Sequence, residues 1–412
     1  MRSTIRTVDA ATPEPFIRRR STPNPGWAVA GFRLLALSSL LALSAFALSP
    51  IRCEAFSAKD LRGILTYDKM MTRLERIAAY GQDARLSEAP YRAKATGRVI
   101  PVITVGHGPR TIFITAMQHA NEYRVSDAAV DIAEKLSRRR NAWMRSALTV
   151  VIMPRVNVDG FDHTLLGEPW RGLPWRFNVD ATAVGFTGPN AAILAQVLYP
   201  FAITGVGYNV NRYHPAGLTE DPGAPTQPNP VPETLAVRHV FDQVQPSMML
   251  DLHEEPSAAG NVEGRPVDVA LAWTAPSLGV APPVLAQEKR IAYAALLANP
   301  TKRTGLYSFI PSDAPGQAHN RYGLLGVPSL LVEFRGLDCW TEADGGTGGE
   351  FGTCQGGGDP SNRAAERLAT KTVLSVLESV ADGSVDLIDP TLADQHILPY
   401  QTTFPVGTRD DH

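Results

Sequence analysis

The strongest constraint on this chain is an alternation of short apolar runs with helical patterns. Residues 99–105, 111–117, 148–153, 248–252 and 329–334 are apolar runs of strand length. Near-continuous apolar character is what a strand covered on both faces requires. Leu61, Ile64, Met70, Leu74 and Ile77 recur at helical spacing and predict a helix over 58–80. Ala129, Ile132, Ala133 and Leu136 predict a second, with Ser126 as its N-cap. Leu368, Val373, Val376 and Val380 predict a third over 364–380. The predicted fold class is α/β: a single domain with a mixed, mostly buried β-sheet flanked by helices.

Three segments are expected along the 412 residues: an N-terminal region over 1–55, a catalytic domain over 56–385 and a C-terminal tail over 386–412. The first is distinctive. Arg18, Arg19 and Arg20 precede an apolar run over 34–48, broken only by serines. That is the layout of a secretory signal. Ala45, Phe46 and Ala47 offer a cleavage site, and removal there takes the net charge from −2 to −6. A longer reading over 26–48 leaves an uncleaved membrane anchor, the one route to a membrane partner. Export, to the outside or to a periplasm, is the expectation in either case. Cys339 and Cys354 flank a glycine-rich stretch and would close it by a disulfide in an oxidising compartment, or remain free thiols. Residues 220–232 and 338–360 are dense in proline and glycine and read as long loops rimming a site. No basic block follows the first 60 residues, so no nucleic-acid partner is expected.

Several chemistries lose their usual signatures. The chain has no G-x-S-x-G elbow, phosphate-binding loop, C-x-x-C pair or H-E-x-x-H helix. What it does have lies at strand ends. His119 and Glu122 follow the run over 111–117, and His253 ends the run over 248–252. Two histidines and a glutamate form a common ligand set for catalytic zinc, with a fourth position open to water. Such donors leave the ion acidic enough to activate that water near neutral pH. Glu333 sits within an apolar strand, where a carboxylate is costly without a partner or a task. Beside an activated water it is the candidate general base.

The ordered set His119-x-x-Glu122, Asn157-Val158-Asp159-Gly160, Asn211-Arg212, His253 and Glu333 resembles the zinc carboxypeptidases typified by carboxypeptidase A. The segment over 67–80 also resembles that family's opening helix, and the likeness spans about 60–382. The resemblance implies a carboxypeptidase-like α/β/α sandwich binding one Zn2+ ion through His119, Glu122 and His253. It implies Glu333 as the base, and Asn211 and Arg212 as the grip on the terminal carboxylate of a peptide substrate. An arginine that polarises the scissile carbonyl is implied as well. Arg171 and Arg176 are the candidates, with Arg176 preferred because its flanking residues look closer to the family's pattern. Val158 stands where the family has proline, and Asn121 where it often has arginine. A capping tyrosine has no clear match; Tyr307 and Tyr322 are the candidates, and His319 lies in the region of the specificity pocket. The implied activity is removal of a C-terminal residue from peptides. The alternative is an amidohydrolase of N-acyl amino acids, similar to aspartoacylase and succinylglutamate desuccinylase.

Overall fold

The computed structural model describes residues 63–161, 177–179, 207–215, 229–256, 261–262, 265–299, 303–308, 315–337 and 359–398. The ten strands among them are β1 (Ala84–Arg92), β2 (Val99–Gly106), β3 (Arg110–Ala116), β4 (Leu148–Met153), β5 (Met248–Pro256), β6 (Asn261–Val262), β7 (Arg265–Pro266), β8 (Val269–Trp273), β9 (Thr304–Tyr307) and β10 (Ser329–Leu337). Eight form one sheet in the order β1-β2-β4-β3-β5-β10-β8-β9, and β6 pairs only with β7. The centre is parallel: β3 pairs with β4 and β5, and β5 with β10. Antiparallel pairs lie towards the edges, between β1 and β2, β2 and β4, and β10 and β8. The sheet is therefore mixed and the class α/β.

Strand periodicity decides which side chains meet. On β5, Met248, Leu250 and Leu252 enter the larger apolar cluster. On β10, Leu330, Val332 and Phe334 do the same. The alternate residues Asp251, His253 and Glu333 therefore share the opposite face. Helices α1 (Tyr67–Tyr80), α2 (Arg124–Leu136), α5 (Pro282–Ala298) and α7 (Asp359–Ala381) supply the larger cluster, which holds Met70, Leu74, Ile132, Ile291 and Val373. Burial of each such side chain contributes about 1.5–3 kcal/mol. Helices α4 (Pro232–Val244) and α6 (Ala318–Leu324) cover the other face with Val237, Phe241 and Tyr322. The remaining helices are α3 (Ala142–Ala147) and α8 (Thr391–Asp394).

Several boundaries differ from the sequence expectation, each for a local reason. Helix α1 starts at Tyr67, where Thr66 accepts from the Lys69 N–H at 3.4 Å. Ile64 packs into the core from the segment before it. Ser126 is not the N-cap of α2. It lies inside the helix and accepts from Arg155 Nε at 3.1 Å, while Glu254 takes the N-terminal N–H groups. Pro232 belongs to α4 as its first residue, where a missing N–H costs nothing. His253 and Glu333 do not end their strands, which run on to Pro256 and Leu337. The tail beyond Asp389 is pinned to β9, with the Leu398 N–H on the Leu306 carbonyl at 2.9 Å.

The apolar run over 34–48, Cys339 and Cys354 and the segment 216–228 lie outside the described residues. Among the described residues, no helix is long and apolar enough to cross a membrane.

Candidate metal centre

Topology places the site. The chain passes from β3 to β4 on one side, then crosses to β5 on the other side of β3. A crevice opens at the carboxyl ends of strands where connections diverge in this way. His119 and Glu122 lie in the turn between β3 and α2, at that point. Met117, buried and at φ 55°, swings the chain out of the strand. A left-handed methionine is strained unless its surroundings hold it. The segment with Asn157, Val158, Asp159 and Gly160 supplies the hold. The N–H groups of Val156 and Asn157 donate to the Ala116 and Met117 carbonyls at 3.1 and 3.0 Å. Asn157 Nδ2 donates to the Gln118 carbonyl at 3.1 Å, and its Oδ1 accepts from the Gly160 N–H at 3.0 Å. Asp159 closes the turn by accepting from the Ala95 N–H at 2.6 Å.

His119, Glu122 and His253 come together there. His119 Nδ1 lies 2.7 Å from Glu122 Oε1, and His253 Nδ1 lies 2.7 Å from Glu122 Oε2. All three are buried, and one ligand atom from each lies within 4.8 Å of the others. The far nitrogens are held separately. His119 Nε2 meets Asn209 Oδ1 at 2.9 Å, and His253 Nε2 meets Asp251 Oδ2 at 3.0 Å. Asn211 Nδ2 also lies 3.1 Å from His253 Nε2, but one ring nitrogen cannot both donate and accept. A carboxylate only accepts, so His253 Nε2–H donates to Asp251 Oδ2. With Nε2 as the donor, Nδ1 of each ring is the nitrogen left to offer its lone pair to a metal once its proton is displaced, the tautomer ligation requires.

The electrostatics favour positive charge at this centre. Burial opposes ionisation of Glu122, yet His119 and His253 outweigh it and hold the carboxyl well below its ordinary range. Burial also opposes charge on His253, and Asp251 and Glu122 together hold it well above. Asp251 is kept down at about 2 against its burial, mainly by His253. Two inward imidazole nitrogens, a carboxylate and a buried setting fit a divalent cation, and the donor types fit zinc.

The other expected residues are placed as follows. Glu333 pairs in register with His253 across β10 and β5, which puts both side chains on one face. Asn211 and Arg212 form a short 3₁₀ turn beside the centre. Asn211 Oδ1 accepts from the Ala318 N–H at 2.9 Å, and Arg212 donates to the Asn211 carbonyl at 2.8 Å. Arg171 and Arg176 lie outside the described residues. Tyr307 and Tyr322 are 1% and 0% exposed, so both are core side chains rather than mobile caps. His319 is buried in α6. Sequence reasoning missed Gln118, Asn209, His214 and Asp251, which surround the imidazoles. Asp251 alone left a signal, since it shares the strand face of His253.

Comparison with known proteins agrees with this geometry. Residues 94–270 match the family model described as zinc carboxypeptidase. That span holds His119, Glu122, Asn211, Arg212 and His253, and stops short of Glu333. No curated protein matches the chain in sequence. Three solved structures share the fold at low identity. A metallo-carboxypeptidase from Burkholderia cenocepacia is 17% identical, with 78% of this chain and 70% of that chain covered, at a TM-score of 0.52. Bovine thrombin-activatable fibrinolysis inhibitor, in complex with tick carboxypeptidase inhibitor, is 16% identical, with 79% and 100% covered, at 0.54. Carboxypeptidase A from Helicoverpa armigera is 15% identical, with 85% and 82% covered, at 0.53. Fold and family match together define a metallopeptidase. Over residues 94–270 the chain resembles the zinc carboxypeptidase family, whose members depend on zinc.

Proposed function

We propose that this protein is an exported carboxypeptidase that hydrolyses the last peptide bond of its substrates, with one zinc ion held by His119, Glu122 and His253. The observation that carries this reading is the meeting of both Nδ1 atoms on the two oxygens of Glu122, each at 2.7 Å. Bound zinc would supply Lewis acidity to a water and to the scissile carbonyl. Glu333 takes the proton of the attacking water and passes it to the leaving amine. Its register opposite His253 supports that role. Arg212 grips the terminal carboxylate, because a planar guanidinium matches two carboxylate oxygens. Asn211 supports the same end of the substrate. Of the two carbonyl-polarising candidates, Arg176 is favoured over Arg171. It directly precedes Phe177 and Asn178, and Asn178 is clamped to Tyr208, one residue from Asn209. The apolar run over 34–48, preceded by arginines, supports export.

The test is metal analysis of the purified protein followed by assay on N-acylated dipeptides and on N-acyl amino acids. Zinc at one equivalent and turnover of the dipeptides is expected. Turnover confined to N-acyl amino acids would replace this reading with the amidohydrolase alternative.

A further inference from the structure

Behind the imidazoles runs a buried chain of polar groups that the proposed reaction does not use. Asp251 Oδ1 accepts from Thr115 Oγ1 at 2.8 Å and from Gln118 Nε2 at 2.6 Å. Gln118 Oε1 lies 2.5 Å from His214 Nε2, and His214 Nδ1 lies 3.4 Å from the Tyr322 hydroxyl. Thr115, Gln118, Asp251, His214 and Tyr322 are all at most 1% exposed. Four separate segments meet here: β3 with its following turn, β5, the segment just after the 3₁₀ turn, and α6.

The proton positions along this chain follow from donor and acceptor inventory alone. A carboxylate only accepts, so Gln118 must turn its NH2 towards Asp251. Its carbonyl then faces His214 and needs an N–H at Nε2. His214 Nδ1 is left with a lone pair, to which the Tyr322 hydroxyl donates. A neutral ring in this one tautomer satisfies every contact. Burial agrees, pushing His214 down to about 3. The protonated ring would instead present N–H at both nitrogens.

We propose that His214 is a positioning residue of the metal centre, acting through Gln118 and Asp251 on the orientation of His253. The inference rests on the reading of His119, Glu122 and His253 as zinc ligands. It also involves both sides of the site, because Gln118 is the residue before His119. Without the His214 N–H, the Gln118 carbonyl is buried without a donor. The amide then rotates or shifts, and Asp251 loses one of its two restraints. Partners of metal-bound histidines change metal affinity by roughly 10–100-fold when removed.

The experiment measures the zinc dissociation constant of the full chain by competition with a chromophoric chelator, in the parent, His214→Leu and His214→Gln. Parent-level thermal unfolding of the zinc-free variants serves as the control for folding. His214→Leu is expected to bind zinc about 10-fold more weakly or worse. His214→Gln, whose amide N–H reaches the same carbonyl, is expected to recover most of the loss. Equal affinity in a folded His214→Leu, or equal loss in both variants, overturns the proposal. If His214→Leu does not fold, nitrogen-15 NMR of the parent histidines decides. A neutral His214 with its proton on Nε2 is expected, and a proton on Nδ1 overturns the assignment. A parent that binds no zinc at all removes the underlying ligand reading instead.

Discussion

The Glu254 carboxylate caps the helix that follows Glu122: its Oε1 accepts from the backbone N–H groups of Arg124 and Val125 at 2.5 and 3.1 Å. Oε2 of the same group meets Arg124 Nη1 at 3.0 Å, and Arg124 Nε donates to Asn362 Oδ1 of α7 at 2.6 Å. The residue after one candidate ligand thus fixes the start of the helix two residues beyond another. Negative charge at a helix N-terminus is favourable in its own right.

Glu254→Ala should therefore destabilise the fold strongly. The change strips a carboxylate from Arg124, which is 2% exposed, and leaves two helix N–H groups unsatisfied. Loss of one partner from a buried pair costs about 3–5 kcal/mol. Glu254→Gln keeps an acceptor for the helix and should cost about 1–2 kcal/mol. Urea unfolding of the two variants gives the comparison. Similar small losses would mean that the helix end is held by something else.

Glu333→Gln separates chemistry from architecture. The amide preserves shape on β10 but cannot take a proton. Turnover should fall at least ~100-fold, the scale of a general base. Zinc content and unfolding midpoint should stay near those of the parent. Undiminished turnover, or loss of zinc along with activity, would remove the base assignment.

The centre of the sheet was legible because buried strands read as apolar runs, and all five runs found their strands. The edges were not. β1 is mostly exposed, and its sequence carries Pro90 and three charged residues, so no alternation stands out. α5 buries small alanines and the acidic Glu288, which breaks the apolar stripe a helix normally shows. At the site, the ordered motif pointed to residues that meet in space. Their supports could not be read in the same way. Asn209 is 90 positions from His119, and His214 is 96 from Gln118. Such pairs are set by how segments cross, and an asparagine or glutamine in isolation says nothing about its partner. The cap of α2 shows the same limit. Ser126 has the right residue type, but a carboxylate from another strand occupies the position.

Arg212→Lys tests the substrate grip. Lysine keeps the charge and loses the planar fork. The expected result is a kcat/KM lower by roughly 10-fold or more on dipeptide substrates, from the loss of the bidentate pair. The loss should fall mainly on KM. Substrates with an amidated C-terminus should be poor for both enzymes, and the gap between parent and variant should close on them. A uniform loss on both substrate types would point to a structural effect of the turn instead.

The buried pair of Asp127 and Arg155 sets the last prediction, on pH. Asp127 is 1% exposed and Arg155 is 0% exposed, with Oδ1 and Nη2 3.7 Å apart. Burial raises the Asp127 carboxyl from 3.8 to about 8, outweighing Arg155, and lowers Arg155 to about 10. A raised pKa means that the folded state binds the proton more tightly than the unfolded state. The associated stability is fully present below about pH 4 and is lost as pH rises through about 8. Asp127→Asn mimics the protonated acid and keeps an acceptor for the Leu65 N–H, which bonds at 2.9 Å. Parent and variant should therefore have similar stability near pH 4. Between there and pH 8 the parent should fall behind by up to about 1.4 kcal/mol per pH unit, the value of one proton. Buried acids raised in the same way, such as Glu233 and Glu288, act alike in both proteins and cancel in the difference. Urea unfolding across that range measures it. A parent that gains on the variant with rising pH would show instead that the ion pair with Arg155 outweighs burial.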